Sequence, residues 1–251
     1  MKALVWEAPR TMALREYPTP APEANEVVLR IAYAGICGSE LSGYLGHNAL
    51  RVPPLVMGHE FSGEIVALGA EARARNPLLV EGLRVTANPL SSCGTCDYCA
   101  RGLDHLCSAR RLIGAHRQGA NAEYVSVAAE SVVPLPDGMS LRSGALAEPV
   151  AVALRIGEMA GSLEGQEVLV IGAGPIGLLA LQSLRAQGAG RVFIADRDPA
   201  RLEMGADLGG ETIEARDVDT AQAVRERTEQ RGVAVAVDAV GLASTRLQCV
   251  T

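Results

Sequence analysis

The sequence predicts an α/β plus β chain, with a β-rich domain over residues 1–154 and an α/β domain on a doubly wound parallel sheet over 155–251. Two observations predict the second domain: strand-like and helix-like segments alternate after Gly165, and the first strand runs directly into a glycine-rich turn. One predicts the first: short β-type segments lie between Gly, Pro and Asn turns with little helical periodicity.

In the first domain the β-type segments are Glu26–Tyr33, Phe61–Leu68, Leu83–Ala87 and Ala122–Val127, and the helical-looking stretch Gly144–Met159 marks the junction. Beyond it the reading is strand Val168–Ile171, helix Pro175–Gln187, strand Arg191–Ala195, helix Ala200–Leu208, short strand Glu211–Ile213, helix Thr220–Glu229 and strand Ala234–Asp238. A dinucleotide fold of this type has about six strands in the order 3-2-1-4-5-6, and only the first four are found, so the domain is expected to be incomplete.

Composition narrows the function classes. With 251 residues, 48% hydrophobic and 21% charged, there is enough apolar material for a sizeable core divided between two domains. A net charge of −6 argues against the basic surface that nucleic acid or an anionic membrane would need. The N-terminus becomes charged again at Glu7, too soon for a signal peptide. The longest apolar stretch, 168–184, is interrupted by glycines, Pro175 and Gln182 and falls short of the about 20 residues of a spanning helix. A cytoplasmic location is expected, where the six cysteines would be reduced.

Three constellations carry chemistry. Cys93, Cys96, Cys99 and Cys107 form a short lobe that can fold around Zn²⁺ and close a tetrahedral set of thiolates, the pattern of a structural site. The alternatives are a redox thiol pair, since Cys-x-x-Cys also serves that chemistry, or buried cysteines unrelated to metal. Cys37, His59 and the carboxylates Glu60 and Glu148 are suitable ligands for a second, open zinc. Taken singly, Cys37 and His59 also read as core residues and the two glutamates as surface carboxylates.

The third constellation is the strand Val168–Ile171 followed by Gly172-Ala173-Gly174-Pro175-Ile176-Gly177. The first glycine permits the tight turn, the second lets backbone approach a pyrophosphate, and the third lets helix and strand pack closely. Asp196 ends the next strand, where a carboxylate would bond the ribose hydroxyls of NAD and repel the extra phosphate of NADP. Its alternative is to cap the helix at Pro199.

In this order the three constellations resemble the zinc-containing medium-chain dehydrogenase/reductase superfamily over essentially the whole chain. Cys37-Gly38-Ser39, Gly58-His59-Glu60 and Glu148-Pro149-Val150-Ala151-Val152-Ala153 look most like the polyol dehydrogenases of sorbitol and galactitol-phosphate type. The resemblance implies a GroES-like β-barrel catalytic domain and a Rossmann domain that is truncated here. It implies a catalytic zinc on Cys37, His59 and a glutamate, either Glu60 or Glu148 or each at different stages, beside the structural zinc, so two Zn²⁺ per chain. NAD is the implied cofactor, with Ile176, Asp196 and Arg201 brought forward as contacts beside Gly172, Gly174, Pro175 and Gly177. Ser39 is implied to take the proton of a secondary alcohol or polyol while NAD takes the hydride.

The sequence also departs from the family pattern. Glu40 stands where Asp is frequent, and Ser42 where a histidine commonly ends the proton relay, with His47 a candidate substitute. Tyr44 falls one residue from a substrate-facing tyrosine of sorbitol-type enzymes, and Arg155 replaces a histidine for no physical reason that we find. Two rival readings remain: a non-catalytic zinc-stabilised dinucleotide-binding fragment, and a zinc-independent NADPH-linked enone reductase of the same fold. The individual alcohol stays open, as does assembly, with a homodimer or homotetramer the candidates.

Overall fold

Runs rich in Val, Ile and Leu become the strands of the first unit, Met1–Glu148. They are β1 (Lys2–Ala8), β2 (Thr11–Glu16), β3 (Glu26–Ala34), β4 (Leu55–Val56), β5 (Phe61–Leu68), β6 (Arg84–Ala87), β7 (Leu90–Ser91), β8 (Arg111–Leu112), β9 (Tyr124–Ala128) and β10 (Val132–Pro134). The computed structural model describes residues 1–250.

An antiparallel sheet in the order β10-β6-β5-β3-β9 forms the body of this unit, and a three-stranded sheet, β2-β1-β4, lies beside it in sequence. Val27, Leu29, Phe61, Ile65, Val85, Val125 and Val127 fill the core of the larger sheet. The four expected strands correspond to β3, β5, β6 and β9, each within a few residues. The hairpin of β1 and β2 escaped that reading; it is held by a turn in which Arg10 takes φ 63, and it buries Val5 and Trp6.

In the second unit, from Pro149 onward, the strands are β11 (Val168–Ile171), β12 (Val192–Asp196), β13 (Glu211–Glu214) and β14 (Val235–Asp238). They pair in parallel in the order β13-β12-β11-β14, the 3-2-1-4 arrangement expected of a doubly wound sheet. Successive residues of β11 point to opposite faces, and both faces are covered. Val168 and Val170 join a cluster with Leu181, Leu184 and Ile194, while Leu169 and Ile171 join Phe193, Ile213 and Val224.

The helices begin where the local chemistry predicts. Pro175 and Pro199 occupy the first turns of Pro175–Ala186 and Pro199–Asp207, and Asp219 caps Thr220–Arg227 by accepting from Gln222 N. The helix Ala147–Ala160 carries the division between the units, which falls between Glu148 and Pro149 rather than at the expected 154/155. Among the described residues, no helix is long and apolar enough to cross a membrane.

Candidate active site and metal centres

Two chain segments of the first unit converge on one point. Cys37 immediately precedes the helix Gly38–Tyr44, and His59 and Glu60 sit just before β5, 5% and 8% exposed. Their ligand atoms all lie within 4.8 Å of one another. Glycines make the approach possible: a Cβ on Gly35 would lie 2.3 Å from Glu60 Oε2, and Gly58, at φ +104, would collide with the backbone of Asn121.

His59 is oriented from behind. Its Nδ1 lies 2.9 Å from Glu40 Oε1, which leaves Nε2 as the ligand atom, and Glu40 is itself 3% exposed. Asn121 Nδ2 donates to the other Glu40 oxygen at 3.4 Å. Burial opposes a charged imidazole, but hydrogen bonds to Cys37 and Glu40 overcome it and raise His59 to about 10. The Cys37 thiol is held below its ordinary range by its hydrogen bond with His59, against burial, with further hydrogen bonds from the Ser39 hydroxyl and N–H.

Burial pushes both Glu60 and Glu148 up. Glu148 stands in the first turn of its helix, outside the tight set of three, yet its carboxyl senses the charges of His59 and Glu60. Crowded thiol, imidazole and desolvated carboxyl groups of this kind are what a divalent cation relieves. The donor set therefore fits an open zinc site held by Cys37, His59 and Glu60, with Glu148 as a neighbouring carboxylate.

The four-cysteine lobe stands on the short ladder of β7 and β8. Cys96 and Cys99 flank the start and middle of the turn Asp97–Ala100, and Gly94 reverses the chain at φ +71. The sulfur separations are 3.5 Å for Cys96–Cys99, 3.6 Å for Cys93–Cys107 and 3.9 Å for Cys93–Cys99. These are far beyond a disulfide bond and close to the about 3.8 Å edge of a tetrahedron with Zn–S near 2.3 Å. The backbone N–H groups of Thr95 and Cys96 draw Cys93 down to about 6, while loss of water drives Cys99 up to about 12. Four thiolates cannot coexist at this spacing without a cation, and the geometry fits zinc rather than a redox pair.

In the second unit the glycine turn divides its labour as the motif requires. A Cβ on Gly177 would come within 1.7 Å of the Gly172 carbonyl oxygen, whereas a Cβ on Gly174 would meet nothing within 4 Å. The space over Gly174 is where a pyrophosphate could approach the helix N-terminus. Beside it, a cavity of about 440 Å³ is lined by Gly172, Asp196, Arg197, Arg201, Arg216 and Leu242 among others. Pro175, Ile176 and Gly177 open the helix that follows Gly174, and of the expected turn residues only Gly172 lines that cavity.

Asp196 does not cap the following helix; Asp198 does, accepting from Ala200 N. Asp196 instead accepts from Ala173 N at 2.7 Å and from Asp198 N at 2.9 Å, so its carboxylate ties β12 to the glycine turn. Arg201 approaches Asp196 and Asp198 at 4.0 and 3.8 Å.

Two expectations beyond these sets resolve differently. Tyr44 gives its hydroxyl hydrogen to the Arg10 carbonyl and, half-buried, packs against the cluster of Trp6, Leu55 and Met57. His47 is exposed, and the group that meets Ser39 is Arg51. Sequence reasoning missed Glu40 as the partner of His59, and missed Arg51 and Asn121 altogether. Only Glu40 left a trace, as a carboxylate one turn beyond Cys37.

Residues 23–137 match the family described as Alcohol dehydrogenase GroES-like domain, and residues 175–251 match Zinc-binding dehydrogenase. The chain is 38% identical over 247 residues to a sorbitol dehydrogenase of Halalkalibacterium halodurans, covering 96% of this chain and 70% of that protein. It superimposes on galactitol-1-phosphate dehydrogenase from Escherichia coli with a TM-score of 0.92 at 31% identity, covering 100% of this chain and 71% of that one. For an alcohol dehydrogenase from Thermus sp. ATN1 the TM-score is 0.90 at 33% identity, covering 100% and 73%.

Proposed function

Because the chain belongs to the zinc-containing medium-chain dehydrogenase/reductase superfamily, near the polyol dehydrogenases, we propose that it oxidises a secondary alcohol or polyol with NAD⁺. The alcohol carbon loses a hydride to the nicotinamide and its hydroxyl loses a proton, giving a ketone, NADH and H⁺. The observation that supports this most is the convergence of Cys37, His59 and Glu60, with Glu40 behind the imidazole.

Bound to those three residues, zinc would supply Lewis acidity that makes an alcohol hydroxyl easier to deprotonate, as NAD would supply the hydride acceptor. Glu40 holds His59 in the tautomer that presents Nε2. Ser39, whose hydroxyl lies against Cys37, takes the alcohol proton. Glu148 is held ready as a second carboxylate beside His59 and Glu60. The helix start after Gly174 would offer the backbone N–H groups of Ile176 and Gly177 to the pyrophosphate, and Asp196 with Arg201 lines the cavity that would take the adenosine ribose. The Asp196 charge favours NAD over NADP. The lobe of Cys93, Cys96, Cys99 and Cys107 would hold the second, structural zinc.

The experiment is NADH formation by the zinc-loaded chain, followed at its near-ultraviolet band, with NAD⁺ or NADP⁺ and a panel of polyols, polyol phosphates and secondary alcohols. Turnover of a polyol with NAD⁺, abolished by Cys37→Ala while NAD binding persists, supports the reading. Turnover that survives Cys37→Ala would defeat the metal assignment.

A further inference from the structure

Arg51 is 4% exposed, and among the described residues it forms no salt bridge with a carboxylate. A buried guanidinium is costly unless its N–H groups are hydrogen-bonded and its charge is met. Its Nε donates to the Gly114 carbonyl at 3.1 Å and its Nη2 donates to Ser39 Oγ at 3.2 Å. Its stem lies on the helix Gly38–Tyr44, where a Cβ on Gly43 would meet Arg51 Cδ at 2.7 Å.

These partners belong to the segments that carry the metal-binding side chains. The Gly114 turn packs on Gly58, with a Cβ at Gly114 only 2.8 Å from the Gly58 carbonyl oxygen, and Gly58 directly precedes His59. Ser39 follows Cys37 at the start of the helix. One buried side chain thus braces both sides of the site.

The direction of the Ser39 hydrogen bond follows from donor inventory. A guanidinium only donates, so Ser39 Oγ is the acceptor in that contact and its own hydrogen must find another partner. We infer that Arg51 is a positioning residue of the metal centre: its guanidinium fixes Ser39 Oγ beside Cys37 on one side and the Gly114 turn against Gly58 on the other. Removing an outer partner of this kind weakens metal binding by about 10–100-fold. The inference rests on the reading of Cys37, His59 and Glu60 as a zinc site.

The test is zinc competition against a chromophoric chelator on the full chain and on Arg51→Met, Arg51→Lys, Ser39→Ala and the double variant Ser39→Ala/Arg51→Met. Zinc in the four-cysteine lobe is expected to stay in every form and serves as the check on folding. At the second site, Arg51→Met and Ser39→Ala should each weaken binding about tenfold, the double variant no further than either alone, and Arg51→Lys should recover most of the loss. Unchanged affinity in Arg51→Met, or losses that multiply in the double variant, would overturn the inference while leaving the zinc site standing. If Arg51→Met does not fold, Arg51→Gln replaces it with the same two outcomes. Zinc in the lobe alone, even in the unaltered chain, overturns the reading of the site and the inference with it.

Discussion

His59 Nδ1 stands 2.9 Å from Glu40 Oε1, with the two side chains only 6% and 3% exposed. A carboxylate so placed fixes the imidazole ring and raises its basicity as a ligand. Glu40→Ala is therefore expected to lower zinc affinity at the Cys37 site by about 10–100-fold while zinc in the four-cysteine lobe is unaffected. Metal analysis after graded chelation reads this directly; equal loss from both sites would mean that Glu40 supports the fold and not the ligand.

Gly174 and Gly177 make opposite demands. Gly177→Ala drives a Cβ into the Gly172 carbonyl oxygen, a backbone contact with no room to yield, and should cost about 1–3 kcal/mol of stability. Gly174→Ala meets open space at an ordinary φ of −76, so it should leave the melting temperature alone and weaken only NAD binding. Thermal unfolding beside a fluorescence titration with NADH separates the two, and a Gly174→Ala chain that binds NADH normally would remove that glycine from the cofactor site.

The lobe of four cysteines has no buried apolar side chain except Cys107 between residues 93 and 107, so its order is expected to depend on a bound metal. Cys96→Ser should release one zinc per chain and open the segment 93–107 to proteolysis, with the Cys37 site still loaded. Resistance to protease equal to that of the unaltered chain would argue that the ladder of β7 and β8 alone holds the lobe.

Glu26 is buried against Arg117 and Ser126, and accepts from Glu23 N. Burial raises its pKa, but these partners outweigh it and the net direction is down. A carboxyl lowered on folding adds stability that is fully present above its unfolded value of about 4.3 and is lost as pH falls through the lower folded value. Glu26→Gln should thus be less stable at neutral pH and show a shallower loss on the acid side. Urea unfolding between about pH 3 and 6 measures it, and parallel curves for the two proteins would assign the acid sensitivity to other groups.

Motifs with a local mechanism were legible before the fold was seen. The glycine turn and the four-cysteine spacing depend on contacts between residues close along the chain, and the strands from β11 to β14 show as apolar runs alternating with helical segments, so pattern and chemistry suffice. The hairpin of β1 and β2 was not legible, because its pairing with β4 lies some fifty residues away and no periodicity marks it. Asp196 shows the same limit. Its position at the end of a strand was readable, but whether it or Asp198 caps the helix was decided by which carboxylate could reach Ala173 N.

The sequence by itself determined the two fold classes, the superfamily resemblance and the candidate metal-binding side chains that the fold gathers, since thiol, imidazole and carboxylate chemistry is carried by residue type and spacing. Only the tertiary structure decided which residues stand behind them. Glu40 meets His59, and Arg51 meets Ser39, across loops whose approach depends on Gly43, Gly58 and Gly114 lacking side chains. Hydrogen bonds between distant segments form only when backbone packing brings them within about 3 Å, and no local pattern encodes that distance.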